Sequence, residues 1–433
     1  MRSSQGLGAA TSLDRVQGAR TGRSAFSDSS FRWLWAATIS AQGASAIAGV
    51  LIPILAIQVL GVGAAGVTVL STAAACAAVV IALPAGMFTE FRRKRPILIG
   101  SDAVRFLGFA LLTAAALFGF LSLPWLVAVL CVNAVMQMLF GSASLAHIKD
   151  LVPEESRADA VGKLQGAAWI AMIGGPVAAG LLASVAPLTV LLACAALCFL
   201  GSAGCISLIP RPESPPPIQA DERHPFRDAF AGITYFVQEP VLRRLLVSWV
   251  LFAGAVAALT PVTQVFFLHD LEFSTTEYGI TMGVPSIAAL VGSWLSGPLL
   301  KKLGLRRAIR IGSFARVPLY LVYPVLPAGQ LGLIGAVAAF AGILLISSTV
   351  NAAISTLRME MTPDSLLSRT SSAWMVATMS AGPVMIPLAG VVMTASSPRV
   401  ALVCLAITVA ISALALPDKA LRKRLPARAD APR

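Results

Sequence analysis

Twelve long apolar runs, separated by short polar loops, constrain this chain more than any other feature of its sequence. A helix that crosses a bilayer needs about 20 mostly apolar residues, and each run is close to that length. Only 12% of the 433 residues are charged, so the chain has too little polar surface for a folded body of this size in water. We therefore predict an all-α integral membrane protein with twelve transmembrane helices. The runs cover 34–58, 64–88, 97–119, 124–147, 161–184, 187–208, 244–268, 276–300, 308–327, 331–357, 368–393 and 398–416.

Loops rich in basic residues alternate with loops that have few or none, and this alternation predicts how the helices are oriented. Both tails and the loops after the even-numbered helices up to helix 10 are rich in Lys and Arg, whereas the loops after helices 1, 3, 5 and 9 carry no charge. Lys and Arg accumulate in cytoplasmic loops. We therefore expect a multi-pass protein of the inner (plasma) membrane with both termini in the cytoplasm. The same distribution accounts for the net charge of +13 without a nucleic-acid partner.

A polar connector divides the helices into two groups of six. Within it Phe226, Phe230, Ile233 and Val237 recur at helical spacing, which predicts an amphipathic helix on the cytoplasmic face of the membrane. The expected units are a disordered cytoplasmic tail at 1–27, a six-helix bundle at 28–208, the connector at 209–243, a second six-helix bundle at 244–416 and a basic cytoplasmic tail at 417–433.

The two groups of six helices also resemble each other in sequence. A shift of 211 residues places Arg32 on Arg243 and Arg105 on Arg316. Two bundles with the same orientation indicate a parallel repeat about an axis along the membrane normal. A binding site is then expected between the halves, near the middle of the bilayer.

The loop after helix 2 carries the motif that points to a family. It reads Gly86-Met-Phe-Thr-Glu90-Phe-Arg92-Arg93-Lys94-Arg95 and resembles the Gly-x-x-x-Asp-Arg-x-Gly-Arg-Arg loop of the major facilitator superfamily. A second copy begins at Gly297, with Lys301 where the acid would stand. The resemblance implies two six-helix bundles and a charge latch at the cytoplasmic mouth. The predicted gate residues are Gly86, Glu90, Arg92, Gly297, Gly304 and Arg306, with Asp102 and Arg105 as an ion pair at i, i+3 in helix 3.

Helix 5 carries Gly174-Gly175-Pro176-x-x-x-Gly180, which resembles the antiporter motif of exporters in that superfamily. Small residues allow close helix packing and proline bends the helix, so Gly175, Pro176 and Gly180 are expected to pack helix 5 against the opposite half. The segments that begin at Phe31 and Phe226 narrow the resemblance to the drug-, macrolide- and siderophore-exporter branch. That branch implies export of a small lipophilic drug or secondary metabolite by alternating access.

Coupling to protons is a further implication of the resemblance, and the sequence offers few residues to carry it. A proton carrier must titrate and face both sides of the membrane in turn. The candidates Asp102, His147, His269 and Asp270 all lie near helix ends. Protons therefore remain an expectation of the family rather than of these residues.

Polar and aromatic residues inside the helices are the candidates for a substrate cavity. Amides, aromatic rings and methionines would form a neutral site that suits a bulky, apolar or weakly charged ligand; interhelical hydrogen bonding or plain packing is the structural alternative for each. The candidates are Gln42, Asn133, Gln137, Trp169, Gln264, Asn351 and Trp374.

Two other functions stay open at this stage. The chain could import a small metabolite or let it diffuse, or it could be a membrane sensor or scaffold that transports nothing. An enzyme is not expected, because no nucleophile–base or metal constellation stands out. We expect no cofactor and a monomer whose partners are a small-molecule substrate and the lipid bilayer.

Overall fold

The computed structural model describes residues 25–90, 92–153, 156–213, 234–236, 238–363 and 366–417. The predicted tails up to residue 24 and from residue 418, and most of the predicted amphipathic helix, lie outside the described residues. Residues 25–27 were expected in the disordered tail, but they form a 3-10 turn. The turn is held because the Ala25 N–H donates to Asp159 Oδ2 at 2.8 Å and the Phe26 ring packs edge-on against Trp35 at 5.1 Å.

Twelve helices are present in the described residues, and they extend several of the apolar runs into the basic loops. The first bundle contains α1 (Ser29–Ile54), α2 (Ala64–Glu90), α3 (Lys94–Leu117), α4 (Leu123–Leu151), α5 (Arg157–Ala183) and α6 (Leu188–Ser207). The second contains α7 (Pro240–Val265), α8 in two pieces (Thr275–Gly283 and Ser286–Leu303), α9 (Leu305–Val322), α10 (Gln330–Met361), α11 (Leu367–Ala395) and α12 (Pro398–Leu414).

Local sequence explains where several of these helices begin. The Asp28 carboxylate caps α1 by accepting the Ser30 N–H at 2.8 Å, and Ser274 with Glu277 forms a capping box at the start of α8. Proline stands in the first turn of α4, α7 and α12, where a missing N–H does no harm. The second bundle therefore starts at Pro240, four residues before the expected boundary.

The helices have the length and composition of membrane spans. Among the described residues, ten helices are long and apolar enough to cross a bilayer, and Pro398–Leu414 is a shorter apolar helix. Helix α9 is less apolar because it contains Arg306, Arg307, Arg310 and Arg316. Large apolar side chains face outward, including Val80, Leu331 and Val391, each at least 66% exposed. Such a surface is stable against lipid and not against water.

The two bundles share one packing scheme. In the first bundle α6 packs on α1 and α3, as α12 packs on α7 and α9 in the second, and α1 packs on α5 as α7 packs on α11. The repeat extends to an irregularity: α1 and α7 each end in a π-helical turn, at Leu55–Val59 and Phe266–Asp270. These turns stand 211 residues apart, the shift found in the sequence.

The two bundles meet along two seams, α5 with α8 and α2 with α11. We call the end of the molecule where α1 begins and α12 ends the tail side, and the opposite end the far side. Val50, Ile54 and Val67 of the first bundle are buried in the apolar core of the second near the far side. The halves are therefore joined closely at the far side.

Helix α8 is interrupted where its counterpart α2 is continuous. The break falls at Val284 and Pro285, where 3-10 bonds from Ile287 N to Val284 O and from Ala288 N to Pro285 O replace the regular ladder. Proline removes one N–H and disfavours the helical conformation of the preceding residue. The far-side end of α8 is thus a short helix of its own, and it carries the contact with α5.

Candidate functional site

A cavity of about 270 Å³ lies on the second bundle where that bundle faces the first, and Trp169 is the one lining residue that the described part of the first bundle contributes. Its tail-side end reaches Asn351, which is exposed, whereas Tyr320 and Tyr323 toward the far side are 1% and 2% exposed. The cavity is therefore accessible from the tail side and closed toward the far side. Its lining is Trp169, Trp249, Phe252, Val256, Leu259, Thr260, Thr263, Met282, Ala289, Tyr320, Tyr323, Phe340, Ile343, Leu344, Ser347, Ser348 and Asn351.

Aromatic rings and aliphatic side chains dominate this wall, and none of the lining residues is charged. The polar groups are hydroxyls, the Asn351 amide and the indole N–H groups of the two tryptophans, and the Tyr320 hydroxyl has no hydrogen-bond partner in the described part of the chain. Ligand sites are mostly apolar with a few polar groups that fix orientation. The cavity can thus hold a small apolar molecule with one or two hydrogen-bonding groups.

The predicted cavity residues do not all lie in one place in the structure. Trp169 and Asn351 line the cavity, one from each bundle. Gln264 lines a neighbouring cavity of about 180 Å³ between α1, α2, α4 and α7, which shares Thr260 with the first. This second cavity lies further toward the far side.

The predicted residues Gln42 and Gln137 bond to each other instead. Gln137 Nε2 donates to Gln42 Oε1 at 3.1 Å and joins α4 to α1 within the first bundle. Asn133, one turn away on α4, is 7% exposed, and its Oδ1 has no hydrogen-bond partner among the described residues. In this conformation the two glutamines thus brace the bundle, as the structural alternative supposed.

Trp374 lies on the tail side of the cavity rather than in its wall. It stacks on Trp249 with ring centroids 6.3 Å apart, packs against Phe236, and lies under the Arg358 guanidinium at 4.9 Å. Because Trp249 lines the cavity, Trp374 supports a wall residue from behind.

The antiporter-like motif in α5 forms the first seam. A Cβ on Gly180 would lie 2.9 Å from the Thr275 carbonyl oxygen and 3.1 Å from Gly279 Cα of α8. The Thr276 hydroxyl donates to the Gly180 carbonyl at 2.9 Å. Only glycine permits so close a backbone contact between the bundles.

The other two motif residues extend this packing. Gly175 faces α1 of its own bundle, where an added Cβ would overlap with Ala46 Cβ, and the Pro176 carbonyl lies against Gly279. The motif thus packs α5 on α1 and on the opposite bundle together.

The second seam repeats the first. A Cβ on Gly390 of α11 would overlap with Thr68 Cγ2 of α2. The repeat shift of 211 residues places Thr68 at the position of Gly279. The two seams are therefore related by the pseudo-two-fold axis, with a Gly–Gly contact in one and a Gly–Thr contact in the other.

The predicted gate residues on the tail side are only partly described. Helix α2 includes Gly86 and Glu90, but their side-chain surroundings lie outside the described residues. Arg92 is exposed, with its guanidinium 4.3 Å from the Phe88 ring centroid.

In the second copy of the motif, which begins at Gly297, the two glycines do not form a close contact between helices. Gly297 is exposed, and a Cβ added there would meet nothing within 4 Å, so it permits no close helix contact in this conformation. Gly304 has a φ of +75° where the chain turns from α8 into α9, so its role is the turn itself. Arg306 follows in the first turn of α9.

Asp102 and Arg105 form the predicted ion pair. Arg105 Nη2 donates to Asp102 Oδ1 at 2.5 Å, and both side chains are at most 1% exposed. The guanidinium also lies 4.6 Å from the Phe199 ring and 5.0 Å from the Phe140 ring. The pair therefore ties α3 to α6 and α4 within the first bundle.

Arg316, the counterpart of Arg105, is buried without such an acid on its own helix. Its Nη2 donates to Ser313 Oγ at 3.1 Å, its guanidinium stacks 3.6 Å from the Phe252 ring, and its Nε and Nη1 have no hydrogen-bond partner in the described residues. The Phe252 ring, which also lines the cavity, is therefore the main contact of the Arg316 guanidinium, in the place of an acid.

The sequence analysis missed most of the aromatic wall. Trp249, Phe252, Val256 and Leu259 recur at helical spacing, so one face of α7 could have been identified. Nothing in the sequence distinguishes this face from the lipid-facing one, because both are apolar.

Comparison with known proteins gives the family. Residues 34–382 match the family model described as Major Facilitator Superfamily. A curated relative, "Uncharacterized MFS-type transporter y4rN" of Sinorhizobium fredii (strain NBRC 101917 / NGR234), is 29% identical over 325 residues, covering 72% of this chain and 77% of the relative.

Solved structures confirm the fold. A bacterial homologue of the human lysosomal transporter Spinster, in an inward-facing and unoccupied conformation, aligns with a TM-score of 0.71 at 16% identity over 92% of this chain and 99% of that one. A mutant of the nucleoside transporter NupG aligns with a TM-score of 0.77 at 12% identity over 89% and 98%. The predicted fold class is confirmed, and the chain belongs to the Major Facilitator Superfamily of membrane transporters.

Proposed function

We propose that this transporter exports small lipophilic or weakly charged molecules, and that the cavity between the bundles is their binding site. The observation that carries the proposal is the uncharged, aromatic wall, built from α5 on one side and α7–α10 on the other. A site that bound a sugar or an organic anion would need more buried hydrogen-bonding or basic groups along its wall.

The direction of transport rests on the orientation of the chain. Arg92, Arg93, Lys301 and Lys302 are exposed on the tail side, and this distribution supports a cytoplasmic location for the tail side. The inner or plasma membrane is accordingly the proposed location. In that orientation the cavity opens to the cytoplasm and is closed toward the outside, which is the state in which an exporter loads its substrate and an importer releases it.

A second route into the cavity favours lipophilic substrates. An apolar cavity of about 410 Å³ lies between α2, α7 and α11, and it shares Trp249, Phe252 and Val256 with the central one. A molecule dissolved in the cytoplasmic leaflet could enter between α2 and α11 without first crossing water. Capture from the membrane suits efflux of apolar compounds better than uptake of polar metabolites.

Export then requires the bundles to rock about the site. The seams at Gly180 with Gly279 and at Gly390 with Thr68 open, and the tail side closes. The cavity wall contains no acid, so proton coupling would have to act through Asp102, His147, His269 or Asp270, outside it. Asp102 is engaged by Arg105 at 2.5 Å, and Asp270 faces His269 at 3.3 Å.

The test is transport by the purified protein in inside-out vesicles with an imposed proton gradient and a fluorescent lipophilic cation. We expect accumulation in the vesicles that an uncoupler abolishes. Movement that persists with uncoupler, or that runs only in right-side-out vesicles, would indicate a facilitator or an importer and contradict the proposal.

A matched pair of tryptophan variants ties the activity to the cavity. Trp169→Ala should reduce transport by about tenfold or more, because loss of a large aromatic contact in a binding site costs about 2 kcal/mol. Trp294→Ala is the control, since Trp294 is 72% exposed on α8 and faces away from the cavity lining. Equal activity of the two variants would exclude this cavity as the binding site.

A further inference from the structure

Three metal-ligating side chains meet on the tail side of the first bundle, away from the central cavity. His147, Asp150 and Glu213 each offer one ligand atom, and these atoms lie within 4.8 Å of one another. His147 and Asp150 stand at i, i+3 near the end of α4, and Glu213 follows α6. The proposed transport cycle names His147 as one candidate for proton coupling, but it gives no reason for the three side chains to converge.

The histidine is the observation that sets this cluster apart from an ordinary group of acids. His147 is fully buried, at 0% exposure, and neither ring nitrogen has a hydrogen-bond partner among the described residues. The nearest carboxylate oxygen, Asp150 Oδ2, is 3.5 Å from Nδ1, too far for a strong hydrogen bond. A buried polar group without a partner is costly, and a metal ion would satisfy it.

Glu213 is fixed in place by the start of α3. Its carboxylate accepts the N–H groups of Lys94 and, at 3.3 Å, of Arg95. A carboxylate has about four lone-pair sites, so two N–H bonds leave capacity for a metal ion. Glu213 is therefore a pre-positioned ligand.

The basic neighbour Arg95 is directed to other acceptors. Its Nη2 donates to the carbonyl oxygens of Ile206, Ser207 and Ile209 at 3.2, 2.9 and 2.7 Å. These bonds brace α3 against the end of α6. With His147 neutral, two carboxylates and one guanidinium leave this group of four with a net charge of −1, which favours a divalent cation.

We propose that His147, Asp150 and Glu213 bind a divalent first-row transition-metal ion of the zinc type. One imidazole and two carboxylates suit Zn²⁺ and its neighbours. Metal–ligand distances of about 2.0–2.2 Å place tetrahedral ligand atoms roughly 3.4 Å apart. Side-chain rotations that move each ligand atom by about 1 Å would therefore bring the three atoms to that separation. The ion would join α4 to the first residues of the connector between the two halves, and the Glu213 hydrogen bonds link this site to the start of α3.

The experiment measures metal binding and does not depend on transport, so its failure is distinct from failure of the proposed function. The full chain is purified in detergent with a tag free of histidine and titrated with Co²⁺, whose visible absorption reports coordination, and Zn²⁺ is then added. We expect one Co²⁺ per chain, displaced by Zn²⁺ and unaffected by excess Mg²⁺.

Three variants decide which residues bind the ion. His147→Ala should abolish the Co²⁺ spectrum, and Asp150→Asn should weaken binding at least tenfold. His269→Ala is the matched control, because His269 forms an exposed pair with Asp270 at 3.3 Å on the far side, and it should bind as the unmodified protein does.

The proposal is overturned if the unmodified protein gives no Co²⁺ spectrum, or if His147→Ala binds as tightly as the unmodified protein. Should His147→Ala fail to fold, Asp150→Asn decides alone, since Asp150 is partly exposed, at 14%. Unchanged affinity in that variant would then assign the ion to an adventitious site.

Discussion

Arg105 is buried with an acid on its own helix, Asp102, whereas Arg316 is buried without one. We therefore predict opposite changes in stability when an acid is removed beside Arg105 and added beside Arg316. Asp102→Asn removes the charge that neutralises Arg105 and should destabilise the first bundle. Ser313→Asp introduces the missing acid three residues before Arg316, in the geometry that Asp102 has toward Arg105, and should stabilise the second bundle.

The magnitude follows from the contacts. Breaking a buried pair and leaving one charge behind costs about 3–5 kcal/mol. Arg105 keeps its contacts with the Phe140 and Phe199 rings, worth about 0.5–2 kcal/mol each, and Arg316 shows that the fold accommodates a guanidinium held mainly by a ring. We therefore expect Asp102→Asn to cost about 3 kcal/mol, or roughly 6–12 °C in Tm for a bundle of this size. Ser313→Asp should gain about 1–2 kcal/mol, since the new carboxylate must itself be desolvated.

Thermal unfolding in detergent, followed by tryptophan fluorescence, measures both effects. The control is the double variant Asp102→Leu with Arg105→Met, which removes the charges together and should unfold close to the unmodified protein. A Tm within about 1 °C of the unmodified value for Asp102→Asn, or a lower Tm for Ser313→Asp, would refute the reasoning.

Three further predictions concern the seams, the turns and the glutamine pair. Gly279→Val should force the first seam apart, because a Cβ there lies 2.5 Å from the Pro176 carbonyl oxygen. With the six native cysteines replaced, alkylation of Gln264→Cys should then accelerate several-fold, and an unchanged rate would count against the seam. Gly304→Ala should cost about 1–3 kcal/mol because its φ of +75° with ψ of 157° suits only glycine, whereas Gly297→Ala should be neutral or stabilising, and equal Tm values would contradict the turn argument. Gln137→Leu should cost about 0.6 kcal/mol and at most about 1.7 kcal/mol; a larger loss of Tm would mean that the side chain does more than bond Gln42.

The sequence predicted the helices and the repeat well because both depend on the length and spacing of apolar runs. The same shift of 211 residues relates the π-helical turns at Leu55–Val59 and Phe266–Asp270. The sequence analysis did not predict these turns, because no residue type marks them. The ion pair between Asp102 and Arg105 could be predicted because the two residues stand about one helical turn apart. At that spacing the side chains are neighbours on the same helix, whatever the arrangement of the other helices.

The cavity was harder to predict because lipid and a cavity of this type are both apolar. In a soluble protein the polar face of a helix shows which side is outside, but α7 and α10 are mostly apolar on every side between their ends. Polar and aromatic residues were therefore the available signal. Of the residues selected in this way, Trp169 and Asn351 line the cavity, whereas Gln42 and Gln137 bond to each other. Partner choice between helices depends on their rotation, which the sequence does not encode locally.

The interruption of α8 at Pro285 makes the two seams mechanically unequal. At the first seam a nine-residue piece, Thr275–Gly283, carries the contact with α5, so it can tilt as a flap while Ser286–Leu303 stays in place. At the second seam α2 runs unbroken from Ala64 to Glu90. Thr68 can therefore separate from Gly390 only if the whole of α2 moves. The far side should therefore open in order, with the seam at α8 parting before the seam at α2. In the proposed export cycle, a substrate released at that stage would leave past α5 and α8.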